Sequence, residues 1–281
     1  MTQTTVARRL IGSPLAGSLA PFRTFDQQDS GCIAWGVHAN SRRYLIKYAA
    51  YDSLDGRGRH AVRALRQAAG FHAVVSHPNI VPALDLVDLP EGVALVFPWV
   101  DGEVLSSPEW PDRRTNPASP YSRFVRLPVE RKLAALDAVI DAHQAVTAAG
   151  YIAVDLYLGC VLYDFDDHHV SLIDFDHYHL GPYVLESDRQ LGSRSLMPPE
   201  EFRRGALIDE RATIYTIGKM ALEFLGDRRQ EHETWQGQPA THDVIRRATE
   251  PDPIDRYTSY GASAADWRAN RRGQHDPAQT T

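Results

Sequence analysis

Lys47 sits in the alternating run Tyr44-Leu45-Ile46-Lys47-Tyr48, which reads as a strand. Only three of the chain's 30 lysines and arginines are lysine, the others being Lys132 and Lys219. A surface cation here is normally arginine, so a lysine inside an apolar strand is a candidate for chemistry. Its ammonium could neutralise phosphate, or it could be a snorkelling strand residue. Asp174-Phe175-Asp176 follows the strand-like Val170-Ser171-Leu172-Ile173. Two carboxylates are the hard donors that Mg²⁺ prefers, although a solvated acidic turn reads the same way. Ser30-Gly31 has small residues whose backbone N–H groups could approach a phosphate, or it is an ordinary β-turn. His177 and His179 raise a transition-metal reading, but no ligand spacing typical of zinc accompanies them.

These residues need a scaffold, and the chain has length for one. Strand formers run from Pro21 to Ala50, with Ala39-Asn40-Ser41 as a turn. Arg57 to Val75 reads as a helix, because Ala61, Leu65, Ala68, Ala69 and His72 fall on one stripe; His77-Pro78-Asn79 ends it. Ile80 to Val87 and Gly92 to Phe97 read as a hairpin. Ser106 to Tyr121, rich in Pro, Ser and Asn, reads as loop. Pro128 to Ala149 is an amphipathic helix stopped by Gly150. Short strands follow around Ala153, Val161–Tyr163 and Val170–Ile173, then helices over Asp209–Leu225, His242–Thr249 and Ser263–Arg271. The expected class is α+β, with a strand-rich first part and a mostly helical second.

In order along the chain, Tyr44–Lys47, His77–Val81, the Asp155 loop, Asp174–Asp176, Gly192-Ser193, Pro198-Pro199-Glu200 and Asp252-Pro253 with Arg256 resemble the signatures of a bacterial serine/threonine protein kinase-like family. The resemblance spans about residues 22 to 268, with a reduced second lobe. It implies a bilobal fold: a lead-in over 1–20, a β-rich lobe over 21–99, a helical lobe over 100–271 and a tail over 272–281. It implies binding of ATP and Mg²⁺ and transfer of the γ-phosphate to a Ser/Thr hydroxyl of a protein. A small-molecule hydroxyl acceptor, under a lid formed by Ser106–Tyr121, is an alternative. So is a pseudokinase that binds nucleotide or a partner without catalysis.

By the same resemblance, Lys47 clamps phosphate, Gly31 belongs to the covering hairpin, and Gln67 occupies the helix position usually held by the acid that pairs with the lysine. Pro98 and Val100 offer backbone groups to adenine. Asp155 orients the acceptor hydroxyl, and Ser193 bonds near it. Asp174 binds Mg²⁺; Cys160 stands where a second metal ligand belongs, although a thiol suits Mg²⁺ badly. Asp176, in place of a glycine, could lend another carboxylate. Glu200 is expected to pair with Arg256. Ala153 and Val154 replace a His and an Arg, and Thr213 replaces an Asp that braces the catalytic loop.

Composition sets outer limits. The net charge of −6 argues against general nucleic-acid binding. No apolar run could span a bilayer and no apolar region follows Arg8-Arg9, so the expectation is a cytoplasmic protein with no membrane partner. Cys32 and Cys160 are far apart and form no CxxC pair, which disfavours a disulfide framework.

Overall fold

A computed structural model describes residues 20–26, 31–52, 56–226 and 232–272. The lead-in up to residue 19, Ser30 of the phosphate turn and the tail after Arg272 lie outside the described residues. The chain is α+β, with its main sheet towards the N-terminus and its helices towards the C-terminus. It divides into two compact units. The first holds residues up to Asp101 together with Asp174–His177; the second holds Gly102–Ile173 and everything after His177.

The first unit is a five-stranded antiparallel sheet of β1 (Ala20–Phe25), β2 (Ile33–Ala39), β3 (Arg42–Ala50), β4 (Asp85–Leu89) and β5 (Gly92–Pro98), in the order β1-β2-β3-β5-β4. Asn40 and Ser41 close the β2–β3 hairpin, both at positive φ, as a two-residue turn matched to strand twist requires. Alternation along β3 then divides its side chains. Tyr44, Ile46 and Tyr48 join Trp35 and Val37 in one buried cluster. Ala49 joins Val93 and Leu95 in another, beneath helix α1 (Gly58–Val74). Lys47 has the parity of Ala49 and so faces the α1 side. The buried stripe of α1, Ala61, Leu65, Ala68 and Phe71, covers that face.

The second unit is built around α3 (Val129–Ala148) and α4 (Glu210–Leu225), against which α5 (Pro239–Ala248) and α6 (Tyr260–Arg272) pack. Short strands carry the loops: β6 (Glu103–Val104), β8 (Val161–Tyr163) and β9 (Val170–Leu172) form one sheet. β7 (Tyr151–Ile152) pairs with β10 (His179–Leu180), and β11 (Tyr183–Val184) with β12 (Leu207–Ile208). The Pro- and Ser-rich stretch is more ordered than its composition implies. Helix α2 (Pro120–Val125) begins there, with Ser119 accepting from Ser122 N at 3.1 Å and Pro120 in the first turn. Arg114 fastens this stretch to α4 through two 2.8 Å bonds to Glu223. Among the described residues, no helix is long and apolar enough to cross a membrane.

Arg256 is the most completely satisfied cation in this unit. Its Nη1 and Nη2 donate to Glu200 Oε1 and Oε2 at 2.7 and 2.9 Å. Its remaining donors reach the carbonyls of Glu250, Arg211 and Pro251 at 2.7–3.0 Å. All five guanidinium N–H groups therefore have acceptors, and the Tyr215 ring lies 4.6 Å from the guanidinium carbon. The pair expected between Glu200 and Arg256 is thus present and buried. Arg256→Leu leaves Glu200 without its counter-ion and is expected to lower unfolding free energy by about 3–5 kcal/mol. Urea titration checks this, and a loss below about 1 kcal/mol would show that Glu200 finds another partner.

Candidate functional site

In the first unit, Lys47 is 7 % exposed and contacts two carboxylates from residues 127 and 129 positions further on. Its ammonium donates to Asp174 Oδ1 at 2.7 Å. Asp176 Oδ2 lies 2.5 Å away as an ion contact, and this buried oxygen has no partner besides Lys47. Phe175, between the two acids, stacks on Phe71 of α1 with centroids 4.5 Å apart and planes at 13°. His72 meets both rings of this pair edge-on, and Phe97 meets His72 edge-on, with the His72 centroid 5.5 Å from those of Phe97 and Phe175. The aromatic packing anchors the acidic tripeptide to the helix. Asp174 has φ +70°, a conformation that costs energy for a non-glycine residue and recurs at functional loops.

The charges here act on one another. Burial pulls the Lys47 ammonium down, but Asp174 and Asp176, with the Cys32 thiol near, lift it well above its ordinary value. Burial pushes Asp174 up, yet the charge and hydrogen bond of Lys47 prevail and hold it below the usual range. Asp176 stays above the usual range, because burial and the Asp174 charge outweigh Lys47. One ammonium cannot fully compensate two acids. Burial also lowers His177, whose ring stacks at 6.2 Å on that of His60.

The other residues assigned to nucleotide binding surround different parts of this unit. Gly31 takes φ +75° where the chain meets the start of α1; a Cβ there would stand 3.2 Å from Arg57 Cβ. Gln67 is half-buried on α1, while the ion partners of Lys47 come from Asp174 and Asp176. At the end of β5, Trp99 N–H donates to Arg43 O at 3.0 Å. Alternation turns the Pro98 carbonyl to the opposite edge, where β4 pairs. Val100, two residues on, is half-buried, and the segment is tied down by the two bonds from Arg43 to Asp101, at 2.9 and 2.6 Å.

In the second unit, Asp155 is half-buried with φ +61°. Its loop is held from inside. The Cys160 thiol, buried, donates to the Asp155 carbonyl at 3.5 Å. Thr213 of α4 accepts from Ala153 N at 3.0 Å. Where the resemblance expects an Asp to brace this loop, the Thr213 hydroxyl makes the contact. Ala153 and Val154 are buried apolar residues at 2 % exposure each. Gly192, at φ +141°, approaches this loop: a Cβ on it would stand 3.3 Å from Asp155 Oδ1. The Ser193 hydroxyl lies 3.3 Å from that of Ser195. Among the described residues, no group of three or more His, Cys, Asp or Glu side chains is arranged to hold a metal ion.

Sequence reasoning passed over Glu201. It follows Glu200 in the chain and is 3 % exposed. Burial, then the charges of Glu200 and Asp155, push its carboxyl up to about 8, against a smaller pull from Arg256. Two adjacent glutamates after two prolines were the available signal, but adjacency alone does not say which acid takes the arginine. No known family model matches the sequence, and no curated protein matches it.

Glu201 gives this unit a pH dependence. Its carboxyl ionises near 4.5 ordinarily and near 8 when folded, so folding favours the protonated acid. Its contribution is full below about pH 4.5, declines as pH rises and levels off above about pH 8. Glu201→Gln should remove that decline, so wild type loses more stability than the variant between about pH 5 and about pH 8, on the order of a few kcal/mol. Urea unfolding of both proteins at the two pH values checks this; parallel losses would assign the decline to other groups. Thr213→Val strands the buried Ala153 N–H and should cost about 1–3 kcal/mol by the same measurement.

Proposed function

We propose that this chain is an ATP-dependent phosphotransferase with a bilobal, protein kinase-like fold, acting on Ser or Thr hydroxyls of a protein. The observation that carries the reading is the direct contact of Lys47 with Asp174. These two residues are distant in sequence, and the resemblance gives them the roles of phosphate clamp and metal carboxylate. The five-stranded sheet with α1 against one face, and the buried Glu200–Arg256 pair, support it.

Each side chain has a task in this reading. Lys47 holds phosphate oxygens. Asp174 is an oxygen donor with 37 % of its side-chain surface exposed, which suits it to Mg²⁺. The ion, when bound, neutralises phosphate charge. The backbone at Pro98 and Val100 takes the adenine edge. Asp155 orients the acceptor hydroxyl and takes its proton. Glu200 and Arg256 hold the segment that begins at Gly192, the part suited to meeting a protein acceptor.

A second reading is nucleotide binding without transfer. It is favoured by Cys160, whose buried thiol is engaged with the Asp155 carbonyl at the position where a second metal ligand belongs by resemblance. Both readings expect ATP with Mg²⁺ to raise the melting temperature, since a ligand of the native state stabilises it.

Transfer of ³²P from ATP to the protein itself or to a protein mixture separates them. Phosphotransfer that falls at least ~100-fold in Asp155→Ala and Asp174→Ala is the expected outcome. Equal labelling in all three proteins rejects the assigned roles. A metal-dependent thermal shift with no labelling leaves the binding-only reading.

A further inference from the structure

The two carboxylates on Lys47 are not equivalent. Asp176 has 4 % of its side-chain surface exposed, and its contacting oxygen has no partner besides Lys47. Water cannot replace Lys47 there, so losing the lysine would strand a buried charge. Asp174 has 37 % of its side-chain surface exposed, so water and ligands can reach it. The set carries two acids against one ammonium, an excess of negative charge that an incoming cation would relieve. That cation can bind only at the accessible acid.

Resting on the phosphate-clamp reading of this site, we propose that Asp176 is the fixed counter-ion that positions Lys47, and that Asp174 is the exchangeable one. A divalent cation taking Asp174 draws that carboxylate from Lys47. The ammonium stays anchored through Asp176 and gains a free donor for phosphate. Metal and triphosphate therefore assist each other's binding, and the assistance passes through Asp176. Helix α1 contributes no acid between His60 and His77, so the anchor comes from the segment after β9 instead. Phe175, stacked on Phe71, holds that segment against α1. Asp176 acts through Lys47 and is a positioning residue.

The test uses the full chain and ATP itself. ATP affinity is measured calorimetrically with excess Mg²⁺ and again with a chelator, for wild type, Asp176→Asn and Asp176→Glu. Wild type should bind at least ~10-fold tighter with Mg²⁺. In Asp176→Asn, Lys47 has only Asp174 to hold, and the advantage should shrink below ~3-fold. Asp176→Glu, which keeps the charge, should recover most of it. A purely packing role predicts the reverse, with the isosteric Asn harmless and the longer Glu disruptive. An unchanged metal advantage in Asp176→Asn overturns the proposal.

A second measurement needs no nucleotide. In a double-mutant cycle of Lys47→Met and Asp176→Asn, read by urea unfolding, the double variant should be more stable than Lys47→Met alone, because that single variant leaves the buried Asp176 without its counter-ion. Simple additivity overturns the anchor. Wild type that binds no ATP rejects the phosphate-clamp reading, and with it the proposed metal–phosphate assistance, while the cycle still decides whether Asp176 anchors Lys47. If Asp176→Asn fails to fold, the double variant compared with Lys47→Met, and Asp176→Glu, still answer.

Discussion

An ammonium that is 7 % exposed keeps its charge only with oxygen around it. For Lys47 that oxygen comes from Asp174 and Asp176, and the first unit is arranged to supply it. Strand alternation aims Lys47 at the α1 side of the sheet. Phe175 on Phe71 fixes the acidic tripeptide there, which is why four residues from far along the chain belong to this unit. Removing Lys47 leaves the buried Asp176 without its counter-ion, at a cost of several kcal/mol. The sheet, the helix and the crossing segment are therefore linked through one cation.

The second unit solves the matching problem with a different cation. Arg256 is planar and forked, and it satisfies a carboxylate and three carbonyls at once. Lys47 has a point charge and takes two acids at unequal distances and unequal exposure. The first arrangement is saturated and has no donor left for a ligand. The second carries excess negative charge and an accessible acid. The two clusters differ in completeness of pairing: every donor of Arg256 has its acceptor, whereas Lys47 faces two acids.

Much of this was legible in the sequence. Period-2 and period-3.6 patterns reveal the sheet and the long helices because burial follows periodicity. Lysine scarcity singled out Lys47, and the resemblance of Pro198-Pro199-Glu200 and Asp252–Arg256 to family motifs anticipated the Glu200–Arg256 pair. What escaped depends on tertiary contact. Helix α2 was hidden in a Pro- and Ser-rich stretch, although Ser119 and Pro120 form a proper start for it. The contact of Asp176 with Lys47 depends on how the tripeptide is docked, which the stacking of Phe175 decides. The hydroxyl brace of Thr213 was hidden because a one-residue substitution does not reveal whether the lost acceptor has been replaced. Glu201 was passed over because burial, not residue type, sets its behaviour.

The departures from the pattern that the sequence resembles also fit together in charge. A helix without an acid would leave Lys47 uncompensated, and this chain places an extra acid at residue 176 instead. The resemblance would put an arginine at 154, a cation needing an anion; here Val154 is apolar and buried, so no counter-charge is required. Thr213 in place of an acid still accepts from Ala153 N, while taking away a negative charge from beneath a loop that holds no arginine. Independent decay of motifs would leave stranded charges, because buried groups that lose a partner are costly. Here the charges that the resemblance would place at 67, 154 and 213 are absent together with, or replaced by relocation of, the charges they would have met.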